Sequence, residues 1–71
     1  MRIVYSYHAK KRLKEREISE ETVRDIIELP EYTIKRGEEI EAYKKVNSQM
    51  TKIVYVNKEK YIKVITLYPL K

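Results

Sequence analysis

The apolar positions change period once along the chain, and the change separates a helical first half from a stranded second half. In His8–Ser19 (HAKKRLKEREIS), Ala9 and Leu13 stand four apart and share one face of a helix, while Lys10, Lys11 and Lys14 turn roughly the other way. His8, Arg12 and Arg16 repeat at the same spacing and form a row along the edge of that apolar stripe. Ser6 is placed to cap this helix, predicted over residues 7–16. Ser19 caps a second helix, with Glu20 and Glu21 in its first turn, Val23, Ile26 and Ile27 on one face, and Pro30 ending it. The link between the helices is very short, so they are expected to pair as a hairpin.

From Glu31 onward the period is two. Tyr32, Ile34 and Arg36 alternate with polar neighbours up to a turn at Gly37. Ile40, Ala42 and Val46 share one face of a second strand, interrupted by Lys44, and Asn47-Ser48-Gln49 reads as a turn. Lys52–Val56 (KIVYV), apolar on both faces at its centre, is expected to be an inner strand. After a turn over Asn57–Lys60, Tyr61–Tyr68 is the last strand. Strict alternation puts Ile62, Val64, Thr66 and Tyr68 on one face and Lys63, Ile65 and Leu67 on the other. Residues 2–5 (RIVY) read as a short lead-in strand or an extended arm. The expected fold is α+β: an N-terminal helical hairpin packed on a four-stranded antiparallel β-sheet, ordered ααββββ, in a single domain over residues 1–71.

Charge adds a direction to this outline. Residues 8–16 carry five basic side chains and one acidic, residues 17–31 one basic and six acidic, and residues 32–71 nine basic and four acidic. The net charge of +5 therefore faces a polyanion with the first helix and the stranded half, and turns the second helix away. With no cysteine there is neither a disulfide staple nor a thiolate metal site, and a reducing compartment is expected. No apolar run reaches the roughly 18–20 residues of a membrane span, and the N-terminus has no signal-peptide pattern. A cytoplasmic protein with no membrane partner is expected. The abundance of Lys, Glu and Arg, with a single glycine, leans towards a thermophile.

The same composition narrows the chemistry. One histidine and no cysteine do not supply an ordinary metal shell, so no metal and no cofactor are expected. There is no glycine-rich phosphate loop and no second histidine for a hydrolytic triad. What remains is an anion site on His8, Arg12 and Arg16. Taken singly, His8 is an ordinary surface or boundary histidine, and the two arginines are partners for Glu15, Glu20 or a neighbouring carboxylate. The Thr66 hydroxyl, within an apolar strand, needs a partner such as a backbone carbonyl, and Tyr68 suits sheet-end packing.

His8-Ala9-x-x-Arg12-x-x-x-Arg16-x-Ile18-Ser19-x-x-x-Val23 resembles the opening of the DUF4258 family, a domain of unknown function. Leu29-Pro30-Glu31 is similar to that family's exit from its second helix, and Ile62–Pro69 (IKVITLYP) to its closing strand around Thr-x-Tyr. The match departs after the second arginine, where relatives usually carry glycine and this chain has Glu17. The family is grouped with the RelE-like and BrnT-like toxins of the BECR type, small metal-independent ribonucleases. The resemblance thus implies a toxin-like endoribonuclease with RNA as substrate and an acidic antitoxin protein as partner.

Cutting RNA without a metal takes a base for the 2′-hydroxyl, cations for the charge on phosphorus and an acid for the leaving oxygen. Imidazole exchanges a proton near neutrality, which suits His8 to the base role. Arg12 and Arg16 would hold the phosphate. Tyr68 would be the acid or a base-stacking platform, with Thr66 orienting the site. Lys11, Lys44, Lys45 and Lys63 would add attraction to the RNA backbone. Two other classes fit the same residues: a non-catalytic nucleic-acid-binding module, and a small protein-interaction domain that docks a partner on its sheet.

Overall fold

The computed structural model describes residues 2–70; Met1 and Lys71, the ends of the expected domain, lie outside the described residues. The elements run β1 (Ile3–Tyr5), α1 (Tyr7–Arg16), α2 (Glu20–Glu28), β2 (Tyr32–Arg36), β3 (Glu39–Val46), β4 (Gln49–Asn57) and β5 (Ile62–Pro69).

Both helices begin where their caps predict. The Ser6 hydroxyl accepts from the Ala9 N–H at 3.0 Å, and that of Ser19 accepts from the Thr22 N–H at 3.0 Å. α1 ends as Glu17 turns left-handed, with the Ile18 N–H reaching back to the Leu13 carbonyl at 3.0 Å. The Leu29 N–H closes α2 on the Asp25 carbonyl at 2.8 Å, one residue before Pro30.

The sheet corrects the expected fold class. It has five strands in the order β1-β5-β4-β3-β2 and is mixed, not four-stranded and antiparallel. RIVY is the added strand: β1 runs parallel to β5, with Ile3 opposite Ile62 and Tyr5 opposite Val64. Its partner lies at the far end of the chain, so local periodicity could not reveal the pairing. The helical hairpin is corrected as well. α1 packs chiefly on β5 and β1, and α2 on β3 and β4, so each helix is held by the sheet rather than by the other helix.

Between helices and sheet lies the core: Ala9, Val23, Ile26, Ile53, Val64 and Leu67 are fully buried there. Ala9 gives α1 a flat contact, which lets it lie close to β5. Among the described residues the sheet's other face has no helix on it, and one irregularity decides what that face presents. In β5, Val64 pairs with Tyr55 and Thr66 with Val54, which leaves Ile65 as an extra residue, a β-bulge. The bulge inverts the alternation expected for the last strand. Ile62, Val64 and Leu67 pack against the helices, whereas Lys63, Thr66 and Tyr68 share the open face. Ser6 fixes this point, because its hydroxyl donates to the Ile65 carbonyl at 2.7 Å and its N–H to the Val64 carbonyl at 3.0 Å. One serine thus caps α1 and ties it to the bulge.

Candidate functional site

Strand register lines up one row of side chains across the open face. Tyr32 on β2 is opposite Tyr43 on β3, Tyr43 opposite Lys52 on β4, and Lys52 opposite Tyr68 on β5. The row continues onto α1, where the Arg12 guanidinium stands 5.9 Å from the Tyr68 ring centroid. Lys52 Nζ lies 5.5 Å from the Tyr68 ring and 5.8 Å from the Tyr43 ring. At the far end the Tyr32 and Tyr43 rings stack, with centroids 4.6 Å apart and planes inclined by 11°.

The adjacent row holds a buried carboxylate. Glu41 lies between Ile34 and Val54 in register, and Val54 pairs with Thr66. Glu41 accepts from the Tyr43 hydroxyl at 3.1 Å and pairs with Lys52 Nζ at 3.3 Å and Arg36 Nε at 3.2 Å. Burial alone would raise its pKa, but the hydrogen bonds from Tyr43, Lys52 and Arg36 outweigh burial and hold the carboxyl below its usual range. Burial pushes the Tyr43 phenol up, as does its bond to Glu41. For Lys52, burial works towards a neutral amine, yet hydrogen bonds to Tyr68 and Glu41 prevail and raise its pKa above the usual lysine value. Lys52 is thus a firmly charged ammonium against the Tyr68 hydroxyl.

The residues expected to form the site divide into two groups. His8 and Arg12 come together on the exposed edge of α1, with Arg12 Nε donating to His8 Nε2 over a long 3.4 Å contact. Arg12 then bridges to Tyr68, and Thr66 lies on the same face two residues earlier. The backbone partner expected for Thr66 is not found: its buried hydroxyl oxygen has no hydrogen-bond partner among the described residues. Nor does either arginine pair with a carboxylate among the described residues.

Arg16 belongs elsewhere. One turn beyond Arg12, it borders a cleft with Val46, Asn47 and Thr51 at the end of the sheet. Lys44 is on the helix side, bonded to Asp25 of α2 at 2.9 Å. Lys11 is exposed on α1, away from the row. Lys45 and Lys63 are on the open face, opposite Met50 and Val56 near its two ends.

Lys52, Glu41, Tyr43, Tyr32 and Arg36 did not stand out in the sequence. The signal was present in the two turns. Two-residue loops at Gly37-Glu38 and Asn47-Ser48 set Arg36 opposite Glu39 and Val46 opposite Gln49. Counting outward from those pairs brings Tyr32 to Tyr43 and Tyr43 to Lys52. Reading Asn47-Ser48-Gln49 as the turn hid that register.

Among the described residues no three His, Cys, Asp or Glu side chains cluster as a metal site, and no helix is long and apolar enough to cross a membrane. No curated protein and no solved structure matches the chain. A family model described as a domain of unknown function, DUF4258, matches residues 5–69, and the chain belongs to that family.

Proposed function

We propose that this domain is a toxin-like, metal-independent endoribonuclease whose site lies where the α1 edge meets the open sheet face. The observation that carries this reading is the bridging position of Arg12, in contact with His8 on one side and the Tyr68 ring on the other. A base candidate, a phosphate-binding guanidinium and a phenol are thereby gathered at one border, with the Lys52 ammonium behind the phenol.

In the reaction, Arg12 turns from His8 to the phosphate, and the Nε2 lone pair it releases takes the proton of the RNA 2′-hydroxyl. The 2′-oxygen bonds to phosphorus as the bond from phosphorus to the 5′-oxygen breaks. Arg12 and Lys52 offset the negative charge that builds on the phosphoryl oxygens. The Tyr68 hydroxyl protonates the departing 5′-oxygen, and Lys52, bonded to that hydroxyl, stabilises the phenolate left behind. The products are a 2′,3′-cyclic phosphate and a 5′-hydroxyl; His8 returns its proton to Tyr68 through solvent. The helix and strand motifs resemble DUF4258, and the grouping of that family with the RelE-like and BrnT-like toxins supports the same assignment, and with it restraint by an acidic antitoxin protein.

The test compares cleavage of a single-stranded RNA by Lys52→Met and by Lys35→Met, a lysine placed on the helix side by its register opposite Ile40. Loss of an electrostatic donor in the site slows turnover about 10²–10³-fold, so Lys52→Met should fall by that factor and Lys35→Met should not. Equal rates for the two variants would contradict the reading.

A further inference from the structure

The row that leads from Arg12 across the sheet does not stop at the proposed reaction centre. Its far end is an aromatic pair on the edge strand, and the two rings differ in exposure. Tyr43 is 8% exposed, closed in by Tyr32 on one side and Lys52 on the other, while Tyr32 is 49% exposed. β2 is the last strand of the sheet, so the ring face of Tyr32 turned away from Tyr43 meets no further strand. A planar, firmly backed aromatic surface is therefore presented at the sheet edge.

We infer that Tyr32 is a nucleobase-stacking subsite for single-stranded RNA, remote from the bond that is cut; this rests on the ribonuclease reading and extends it. Three strand spacings separate Tyr32 from Tyr68, about 14 Å. That is further than one nucleotide reaches, so the base on Tyr32 belongs to a neighbour of the scissile pair. Between the two ends the open face supplies what the intervening backbone needs. Lys52 stands within the row, and Arg36 and Lys63 lie at the two ends of a parallel row on the same face, against the carboxylates of Glu39 and Glu41. Glu41 is already bound by Arg36, Lys52 and Tyr43, so its charge is largely met from within the protein. A ring face with cations beside it is the arrangement that binds unpaired bases with little regard to their identity. A duplex keeps its bases stacked inside and has none to offer at that edge.

The experiment uses a fluorescently labelled oligoribonucleotide with 2′-O-methyl groups throughout, which binds but cannot be cut. Its affinity is measured for the wild type, Tyr32→Leu, Tyr32→Ala and Tyr61→Ala, a half-buried-to-exposed tyrosine of the β4–β5 connection used as control. Leucine keeps an apolar cover over Tyr43 but has no π-face, so a loss in Tyr32→Leu is not a loss of fold; thermal melts check this. The expected result is about tenfold weaker binding by both Tyr32 variants, with Tyr61→Ala matching the wild type and a duplex of the same sequence bound weakly. Wild-type binding that Tyr32→Leu and Tyr32→Ala retain in full would overturn the subsite and leave the ribonuclease reading standing. Absence of any binding by the wild type, in buffer of low salt, would overturn both.

Discussion

At Glu17 the backbone takes φ 52° and ψ 44°, the left-handed conformation that ends α1 and admits the turn into Ser19. A side chain there crowds the following carbonyl at a cost of roughly 1–2 kcal/mol, offset in part by the greater freedom that glycine has when unfolded. Glu17→Gly should therefore stabilise the domain by about 1 kcal/mol, raising Tm by about 4–8 °C. A melt at or below the wild-type temperature would contradict this. Glu41 gives a pH-dependent counterpart. Its carboxyl is held below the ordinary value of 4.5, so its contribution to stability is present above that pH and is lost as pH falls through the lowered folded value. Thermal melts from pH 7 to pH 3 should show the wild type losing stability more steeply below pH 4.5 than Glu41→Gln. Parallel curves would exclude Glu41 as a source of the acid sensitivity.

At the scale of elements, α1 reaches the open face through Ser6 and the β5 bulge. Ser6→Ala removes the helix cap, costing about 1 kcal/mol, and also the 2.7 Å bond to the Ile65 carbonyl. The variant should be destabilised by more than Ser19→Ala, which loses its cap bond and the 2.9 Å contact with Thr22 at an exposed helix start. Urea unfolding of the two variants checks the order. The helices were legible in the sequence because their determinants are local: Ser6 and Ser19 at the starts, Pro30 at the stop, and a period of 3.6 between. The bulge was not, because one added residue at Ile65 leaves the composition of β5 unchanged while moving Leu67 inward and Thr66 and Tyr68 outward. Likewise β1 could be seen as extended chain, but its parallel pairing with β5 depends on residues 59 positions away, such as Ile3 with Ile62. Of the candidate site, the His8–Arg12 pair followed from helical spacing alone. Lys52 and Glu41 needed the strand register, which the turns at Gly37 and Asn47 specify only once their loop lengths are known.

For the molecule as a whole, the two sheet faces have opposite assignments. On the helix side, Lys44 is neutralised by Asp25, and α2 carries Glu20, Glu21, Asp25 and Glu28 outward. On the open side, Arg12 and Lys52 are set among tyrosines, and Arg36 and Lys63 lie further along the same face. Binding of single-stranded RNA should accordingly weaken with salt, with a slope of log K against log salt of about −0.7 for each phosphate neutralised. Arg12→Met and Lys52→Met should each reduce that slope by about 0.7, whereas Lys44→Met should leave it unchanged. An equal reduction by Lys44→Met would mean that RNA is not confined to the open face. The central claim is tested most directly by incubating a mixed-sequence RNA in EDTA with the wild type and with His8→Ala, at protein concentrations where both bind equally. The account predicts cleavage by the wild type with 2′,3′-cyclic phosphate ends, and none by His8→Ala. RNA left intact by a wild type that binds it, or cut equally by His8→Ala, would contradict it.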